Sequence, residues 1–123
     1  TYNVIKDLTA KLGKETVTVL KDSPGFIVNR LLVALVNEAA KMLYDGIASA
    51  EDIDKAAELG LNHPMGPLRG QDVLNGIAIT LELLDYMRAE IGDEYRACPL
   101  LRSKVRAGEI GVKAGKGFYD YSK

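Results

Sequence analysis

The residues of this chain that could take part in chemistry are few and widely spaced. The sequence has one histidine, His63, and one cysteine, Cys98, and no motif links them. A zinc site needs several ligands of these types, so the sequence predicts no metal centre. A lone cysteine of this kind is more often a buried or inert thiol than a nucleophile. His63 lies in a proline-containing turn, where a structural role is favoured over a functional one.

Asn29 is the sharpest candidate for a functional side chain. It lies in the second turn of a long helix predicted to begin near Pro24. Helical side chains lean back toward the N-terminus, so its amide points toward that end of the helix. The same face continues through Val33, Val36 and Ala40 as a small, apolar stripe. A buried amide without a partner costs about 1–3 kcal/mol, and the residues alone therefore favour a structural hydrogen bond to a neighbouring helix.

The sequence does not match the dinucleotide-binding or calcium-binding motifs. The Gly-x-Gly spacing at Gly115 and Gly117 meets Asp120 where a dinucleotide fingerprint needs a third glycine, and no strand precedes it. Asp52 and Asp54 have the first spacing of a calcium loop, but alanines follow at the next ligand positions. The charged residues of this segment are predicted to form a solvated helix face. They are Glu51, Asp54, Lys55 and Glu58.

Composition limits the classes of protein that remain. The chain has 123 residues, 47% of them hydrophobic and 27% charged, as in an ordinary globular domain. A net charge of -1 gives no long-range field to hold nucleic acid or an anionic membrane. The longest apolar stretch, about 26–43, contains several charged and amide side chains, so no membrane span is expected. No secretory signal opens the chain, and one cysteine fits a reducing compartment, which favours the cytoplasm.

The elements that must position these residues are predominantly helical. Apolar spacing, caps and stop residues predict an all-α bundle dominated by two long helices. The predicted helices cover residues 23–44, 49–60, 68–91 and 99–108, separated by a turn-rich break at 62–67. Gly76 is interpreted as a point of close packing inside the second long helix. The glycine-rich tail from 109 to 123 is expected to lie as a loop over the bundle.

The first residues of the chain read differently from the rest. The apolar residues of 2–12 have helical spacing. Thr16 to Leu20 alternate between threonine and valine before the final leucine, and such β-branched residues are typical of a short strand. A lone strand cannot satisfy its backbone groups, so it must pair with strands that this sequence does not supply. We therefore interpret residues 1–22 as the remnant of an α/β domain, and residues 23–123 as a separate helical domain.

Several ordered blocks of sequence resemble one known family. Asp22-Ser-Pro-Gly-Phe-Ile-Val-Asn-Arg-Leu-Leu32, with Asn37-Glu38-Ala39, is similar to the signature that opens the C-terminal domain of 3-hydroxyacyl-CoA dehydrogenases. The segment 60–68 and the tail from Pro99 to Tyr121 continue the pattern in order, and the match is nearest to hydroxybutyryl-CoA-type members. One departure is Asn75-Gly76-Ile77, where many members have Gly-Leu-Asp. It bears on substrate choice more than on fold.

The resemblance implies an activity that this chain would share with another domain. In the family, a doubly wound NAD-binding domain comes first and ends in a helix and a strand, which would account for residues 1–22. The reaction is reversible oxidation of a 3-hydroxyacyl-CoA to the 3-ketoacyl-CoA, in β-oxidation and butanoate metabolism, with hydride passing to NAD. A His–Glu pair in the NAD-binding domain accepts the proton. The C-terminal domain closes the cleft for the acyl-CoA substrate and forms a homodimer interface.

The resemblance also assigns roles to two residues. An asparagine at the position of Asn29 faces the catalytic histidine and the 3-oxygen of the substrate, which reverses the preference for a structural role. A lysine in the tail, here Lys113, reaches the nicotinamide cofactor. The alternative for Lys113 is an exposed, solubilising side chain like Lys104 or Lys116, and it carries equal weight.

The isolated chain is expected to be an inactive part of a larger enzyme, and two other functions stay open. The isolated chain should fold and dimerise but show no dehydrogenase activity. One rival is a non-catalytic helical dimerisation module, and another is a related dehydrogenase acting on a different hydroxy acid. An enoyl-CoA hydratase domain fused after Lys123 is a further partner that the sequence leaves open.

Overall fold

The protein is an all-α bundle, as predicted, in the part of the chain that the structure describes. The structure is a computed structural model and describes residues 27–122. Over that range it contains five α-helices and two short 3₁₀ helices. The α-helices are α1 (Val28–Tyr44), α2 (Ala50–Gly60), α3 (Pro67–Leu74), α4 (Ile77–Glu90) and α5 (Pro99–Arg106), and the 3₁₀ helices are Asp93–Tyr95 and Val112–Ala114.

Predictions for the first residues of the chain lie outside the described range. These are the helix at 2–12, the strand at Thr16 to Leu20, the helix start at Ser23 and Pro24, and the domain boundary between residues 22 and 23. They stay predictions.

Helix α1 is the centre of the bundle and contacts each of the other four α-helices. Its buried side includes Val33, Val36 and Ala40, which are the stripe expected from the sequence. The helix ends where Gly46 adopts a left-handed backbone with φ of +74°. The predicted stop at this glycine is therefore confirmed.

Helix α2 begins and ends where its local sequence indicates. The hydroxyl of Ser49 accepts a hydrogen bond from the backbone N–H of Asp52 at 3.1 Å, which is the contact of an N-cap residue. The helix runs from Ala50 to Gly60. Helix α5 likewise begins at Pro99, with Gly108 beyond its last turn at a φ of +74°.

The second long helix is not continuous from 68 to 91 as predicted. Asn75 adopts a left-handed conformation with φ of 54° and caps α3, and α4 begins two residues later at Ile77. The side chain of Gln71 bridges the break, because its Oε1 accepts a hydrogen bond from the Thr80 hydroxyl at 2.6 Å. Apolar periodicity continues on both sides of Asn75, and periodicity alone could not reveal the break.

Two groups of buried apolar side chains form the core. The larger joins α1, α4 and α5 and contains Val33, Ala40, Ile77, Leu81, Leu84, Met87, Cys98 and Leu101. The smaller joins α1, α2 and α3 and contains Ala39, Ala50, Ile53 and Leu68. Phe118 of the tail packs against both. Burial raises the pKa of the Cys98 thiol, in agreement with the inert role expected for it.

Candidate functional site

Asn29 lies in the first turn of α1 and its side chain is exposed. The residues that follow it on the same face are sealed, since Val33 is 1% exposed and Val36 and Ala40 are both 0% exposed. The amide thus sits at the open end of a buried apolar stripe. It is accessible to a ligand or a neighbouring domain, and it does not serve the interior of the bundle.

The start of α1 is fixed by the residue next to Asn29. The Nε of Arg30 donates a hydrogen bond to the Tyr95 hydroxyl at 2.7 Å, and its guanidinium carbon lies 5.3 Å from the centroid of the same ring. Tyr95 belongs to the 3₁₀ helix that follows α4. A cation held over an aromatic ring and hydrogen-bonded to it restrains both elements. This contact orients the turn that presents Asn29.

Asn37 is a structural residue of the block that carries the family resemblance. It is 3% exposed. Its Oδ1 accepts from the backbone N–H of Cys98 at 2.8 Å, and its Nδ2 donates to the backbone carbonyl of Arg96 at 3.0 Å. One buried amide therefore pairs with two backbone groups of the segment that leads into α5, the Arg96 carbonyl and the Cys98 N–H. It joins α1 to that segment.

Asp72 holds the glycine-rich tail against the bundle. Its side chain is 0% exposed. The carboxylate accepts from the backbone N–H groups of Phe118 at 2.8 Å and Tyr119 at 2.9 Å, and from the Tyr121 hydroxyl at 2.8 Å. A buried carboxylate needs several donors of this kind. The tail lies over the bundle as predicted, and Asp72 is the reason.

Asp54 corrects the prediction of a solvated face on α2. Glu51, Lys55 and Glu58 are exposed as expected, but Asp54 is only 4% exposed. Its carboxylate accepts from the backbone N–H groups of Leu68 at 2.8 Å and Arg69 at 3.0 Å. These N–H groups open α3 and have no partner within their own helix. Asp54 therefore caps α3 from a different helix.

The two buried carboxylates share a cluster with two tyrosines and one arginine. The Tyr119 hydroxyl donates to Asp54 at 2.5 Å, and the guanidinium carbon of Arg69 lies 4.1 Å from the Tyr119 ring centroid and 6.0 Å from that of Tyr121. Burial, followed by the hydrogen bond to Asp72, raises the pKa of Tyr121 to about 12. Burial and the bond to Asp54 also raise the pKa of Tyr119. Both hydroxyls are therefore protonated donors at neutral pH.

Helical spacing in the sequence places both carboxylates on buried faces. Ala50, Ile53 and Ala57 form the buried side of α2, and Asp54 falls on that side by helical spacing. Asp72 follows Leu68 by four residues, and both are 0% exposed. An acidic residue on a buried helical face needs hydrogen-bond donors from elsewhere in the fold.

Lys113 lies on the 3₁₀ helix Val112–Ala114 and is exposed. Lys104 and Lys116 differ from Lys113, because both lie near a carboxylate. Lys104 pairs with Glu109 at 3.0 Å, and Lys116 lies 3.8 Å from the same carboxylate. Between residues 27 and 122, no carboxylate is paired with the Lys113 ammonium. Its charge is thus available to an anionic ligand.

Neither a metal cluster nor a membrane helix is found in the described range. No three His, Cys, Asp or Glu side chains of residues 27–122 converge as metal ligands would. None of the helices of that range has the length and apolarity required to cross a bilayer. His63 is half-buried in the break before α3, with its backbone N–H bonded to the Ala57 carbonyl at 3.3 Å.

An apolar surface follows α1 and α2. A groove of about 330 Å³ between these helices is lined mainly by aliphatic side chains, among them Leu35, Met42, Ile53 and Leu61. Leu31 extends the Leu35–Met42 face of α1 by one turn and is 68% exposed, and Leu61 is 63% exposed. Exposed aliphatic residues grouped along a groove are typical of surfaces that bind a ligand or another protein.

The described residues form a helical domain with an exposed amide, Asn29, at the start of α1 and an exposed ammonium, Lys113, in the tail. The chain belongs to the 3-hydroxyacyl-CoA dehydrogenase family, because the model of that family's C-terminal domain matches residues 25–121.

Several 3-hydroxybutyryl-CoA dehydrogenases are similar to this chain over nearly its whole length. A probable 3-hydroxybutyryl-CoA dehydrogenase of Bacillus subtilis is 46% identical over 94% of this chain and 40% of its own length. The 3-hydroxybutyryl-CoA dehydrogenase of Clostridioides difficile is 44% identical over 100% of this chain and 43% of its own. The crystal structure of (S)-3-hydroxybutyryl-CoA dehydrogenase from Ralstonia eutropha superimposes with a TM-score of 0.83 at 43% identity, covering 98% of this chain and 42% of that one. The chain thus spans about two fifths of the length of these relatives.

Proposed function

We propose that this chain is the C-terminal domain of an NAD-dependent 3-hydroxyacyl-CoA dehydrogenase that acts on short-chain substrates such as 3-hydroxybutyryl-CoA. Its role is to close the substrate cleft against the NAD-binding domain, in cytoplasmic fatty-acid or butanoate metabolism. The observation that carries the proposal is the exposed amide of Asn29 at the open end of a buried stripe. The names of the relatives support the choice of substrate class.

The chemistry defines what Asn29 must do. Oxidation of a 3-hydroxyl group removes hydride from C3 and a proton from the oxygen, so negative charge grows on that oxygen as the proton leaves. NAD, when bound, supplies the acceptor for the hydride. The Asn29 Nδ2 donates a hydrogen bond to the 3-oxygen, which orients it and stabilises the developing charge. The Arg30–Tyr95 contact holds the turn from which this amide projects.

Lys113 is the residue of this chain that we assign to the cofactor. NAD carries an anionic pyrophosphate, and the Lys113 ammonium is exposed and unpaired within the described residues. Its backbone is held in a closed turn, so the side chain starts from a fixed point. A flexible ammonium of this kind contributes a point charge to an anionic ligand.

The apolar surface along α1 and α2 fits a second copy of the same chain. Leu31, Leu35, Met42 and Leu61 would be removed from water in a homodimer. A two-fold interface uses the same patch on both subunits, so one apolar surface on each copy could form it.

The direct test changes Asn29 in the complete enzyme that contains this domain. Asn29→Ala removes the donor, and Asn29→Asp replaces it with a carboxylate of the same shape that repels the developing charge. We expect kcat for 3-hydroxybutyryl-CoA to fall by roughly 10²-fold, the effect of losing one such donor, while the melting temperature stays unchanged. Variants that melt normally and retain full kcat would refute the role of Asn29.

A further inference from the structure

Asn75 occupies a position that glycine would fill with less strain. Its φ of 54° lies in the left-handed region, which asparagine tolerates better than most residues. It ends α3, and its backbone N–H bonds to the Asp72 carbonyl at 3.1 Å. The side chain of Asn75 is therefore an addition that the backbone geometry does not require.

That side chain reaches the turn that carries Lys113. The Asn75 Oδ1 accepts a hydrogen bond from the backbone N–H of Lys113 at 2.8 Å. Gly111 lies against the same residue, since a β-carbon at 111 would be 2.7 Å from both the Asn75 Cα and its Oδ1. The turn is packed and hydrogen-bonded to the break between α3 and α4.

The turn is otherwise held mainly by its own backbone. Gly111 donates to the Lys116 carbonyl at 3.0 Å, Ala114 to the Gly111 carbonyl at 3.1 Å, and Gly115 to the Val112 carbonyl at 2.9 Å. These bonds close the turn internally but do not attach it to the bundle. The Asp72 carboxylate grips the tail only from Phe118 onward. Among the described residues, the Asn75 side chain is thus the one that accepts a hydrogen bond from the Lys113 backbone and attaches this residue to the bundle.

We infer that Asn75 is a positioning residue for cofactor binding, which acts by holding the Lys113 backbone so that the ammonium faces the bound dinucleotide. The inference rests on the proposed role of Lys113. A lysine on a restrained backbone loses less conformational freedom when it engages its ligand than one on a loose turn. Removing the Asn75 acceptor should therefore weaken binding of the dinucleotide even though Asn75 does not touch it.

The test compares two substitutions in the complete enzyme. Asn75→Gly keeps the left-handed backbone and removes the acceptor, whereas Asn75→Asp keeps an oxygen that can accept from Lys113. Titration with NADH, followed by its fluorescence, should show Kd about three- to tenfold higher for Asn75→Gly. The Asn75→Asp variant should stay close to the wild type. A matched control is Asn62→Gly, which makes the same change at the other left-handed asparagine, at a φ of 59°.

Two further measurements separate the inference from the proposal beneath it. In a Lys113→Ala background, Asn75→Gly should have no additional effect on Kd, because the side chain that it positions is already gone. Hydrogen exchange at the Lys113 amide should accelerate in Asn75→Gly and remain slow in Asn62→Gly, with the Phe118 amide unaffected in both. This readout does not depend on catalysis.

The contrary results differ for the two claims. If Lys113→Ala leaves the affinity for NADH unchanged, the cofactor role of Lys113 fails and the inference fails with it, whatever exchange shows. If Lys113→Ala weakens binding but Asn75→Gly does not, or has the same effect in both backgrounds, positioning by Asn75 is overturned and the role of Lys113 stands.

Discussion

Asp72 and Gly117 approach each other so closely that a β-carbon on residue 117 would lie 2.0 Å from the Asp72 Oδ1. The approach lets the backbone N–H groups that follow Gly117 reach the carboxylate. A glycine in the tail and an aspartate in α3 are therefore one structural unit, although 45 positions (117 − 72) separate them. The tail from Gly117 onward owes its course over the bundle to this contact.

Gly117→Ala should destabilise the protein. The added methyl group meets a buried carboxylate that already has three donors, and overpacking of this kind costs about 1–3 kcal/mol. Gly70→Ala is the matched control, because Gly70 lies inside α3 with no atom near the position of an added β-carbon. There, alanine should stabilise the helix by about 0.5–1 kcal/mol. Urea unfolding of both variants measures the difference, and equal effects would contradict the steric argument.

Asn37→Ala should also destabilise the protein, for a different reason. It leaves the Cys98 N–H and the Arg96 carbonyl without their partner, at about 1–3 kcal/mol for each buried group. Glu38→Ala changes the neighbouring, exposed residue, whose ion pair with Lys41 spans 3.9 Å at the surface, and should alter stability by less than about 0.5 kcal/mol. Thermal unfolding distinguishes the two. If the Asn37 variant is as stable as the Glu38 variant, the two hydrogen bonds of Asn37 do not stabilise the fold.

The tyrosine cluster predicts a loss of stability in alkali. Tyrosine has an ordinary pKa of 10.0, and in the folded protein the pKa of Tyr121 is raised to about 12. Above pH 10 the unfolded chain loses the proton while the folded protein keeps it, so the free energy of unfolding falls as pH rises. The protonated Tyr121 hydroxyl contributes fully to the free energy of unfolding below pH 10, and this contribution is lost as pH rises through 12.

Tyr121→Phe tests this linkage because it removes the titrating hydroxyl and keeps the ring. Its free energy of unfolding should decline less steeply between pH 10 and 12 than that of the wild type. Denaturant titrations at several pH values give the slope. The same slope in both proteins would show that Tyr121 does not contribute.

The apolar surface predicts a dimer that a charge can separate. Leu31→Glu places a carboxylate on a residue that is 68% exposed in the single chain, so the fold itself should tolerate it. Burying that charge in a subunit interface would be costly. Sedimentation velocity should show dimers for the wild type and for the conservative Leu31→Met variant, and monomers for Leu31→Glu. Dimers in all three would place the interface elsewhere.

Much of the candidate site could be reached from sequence because its residues lie in ordered blocks. The family followed from residues 22–32 and the blocks after them, and the all-α fold followed from apolar spacing, caps and stop residues. The residues alone favoured a structural hydrogen bond for Asn29, and its exposed side chain was not predicted from them. The roles of Asn29 and Lys113 stay predictions, and the structure adds to them an exposed amide and an ammonium that has no ion pair within residues 27–122. The break at Asn75 was missed although Asn-Gly is a common turn signal, because the apolar periodicity on both sides also fits one continuous helix.

Sequence by itself determined where several helices begin and end, because caps and stop residues act on backbone groups a few positions away. Ser49, Gly46 and Pro99 are examples. Only the tertiary structure decided which polar residues became anchors. Asn37 finds its partner 61 residues away and Asp72 finds Phe118 46 residues away. A buried polar group announces that it needs a partner, but its identity depends on which distant segments the packed core brings within hydrogen-bond distance.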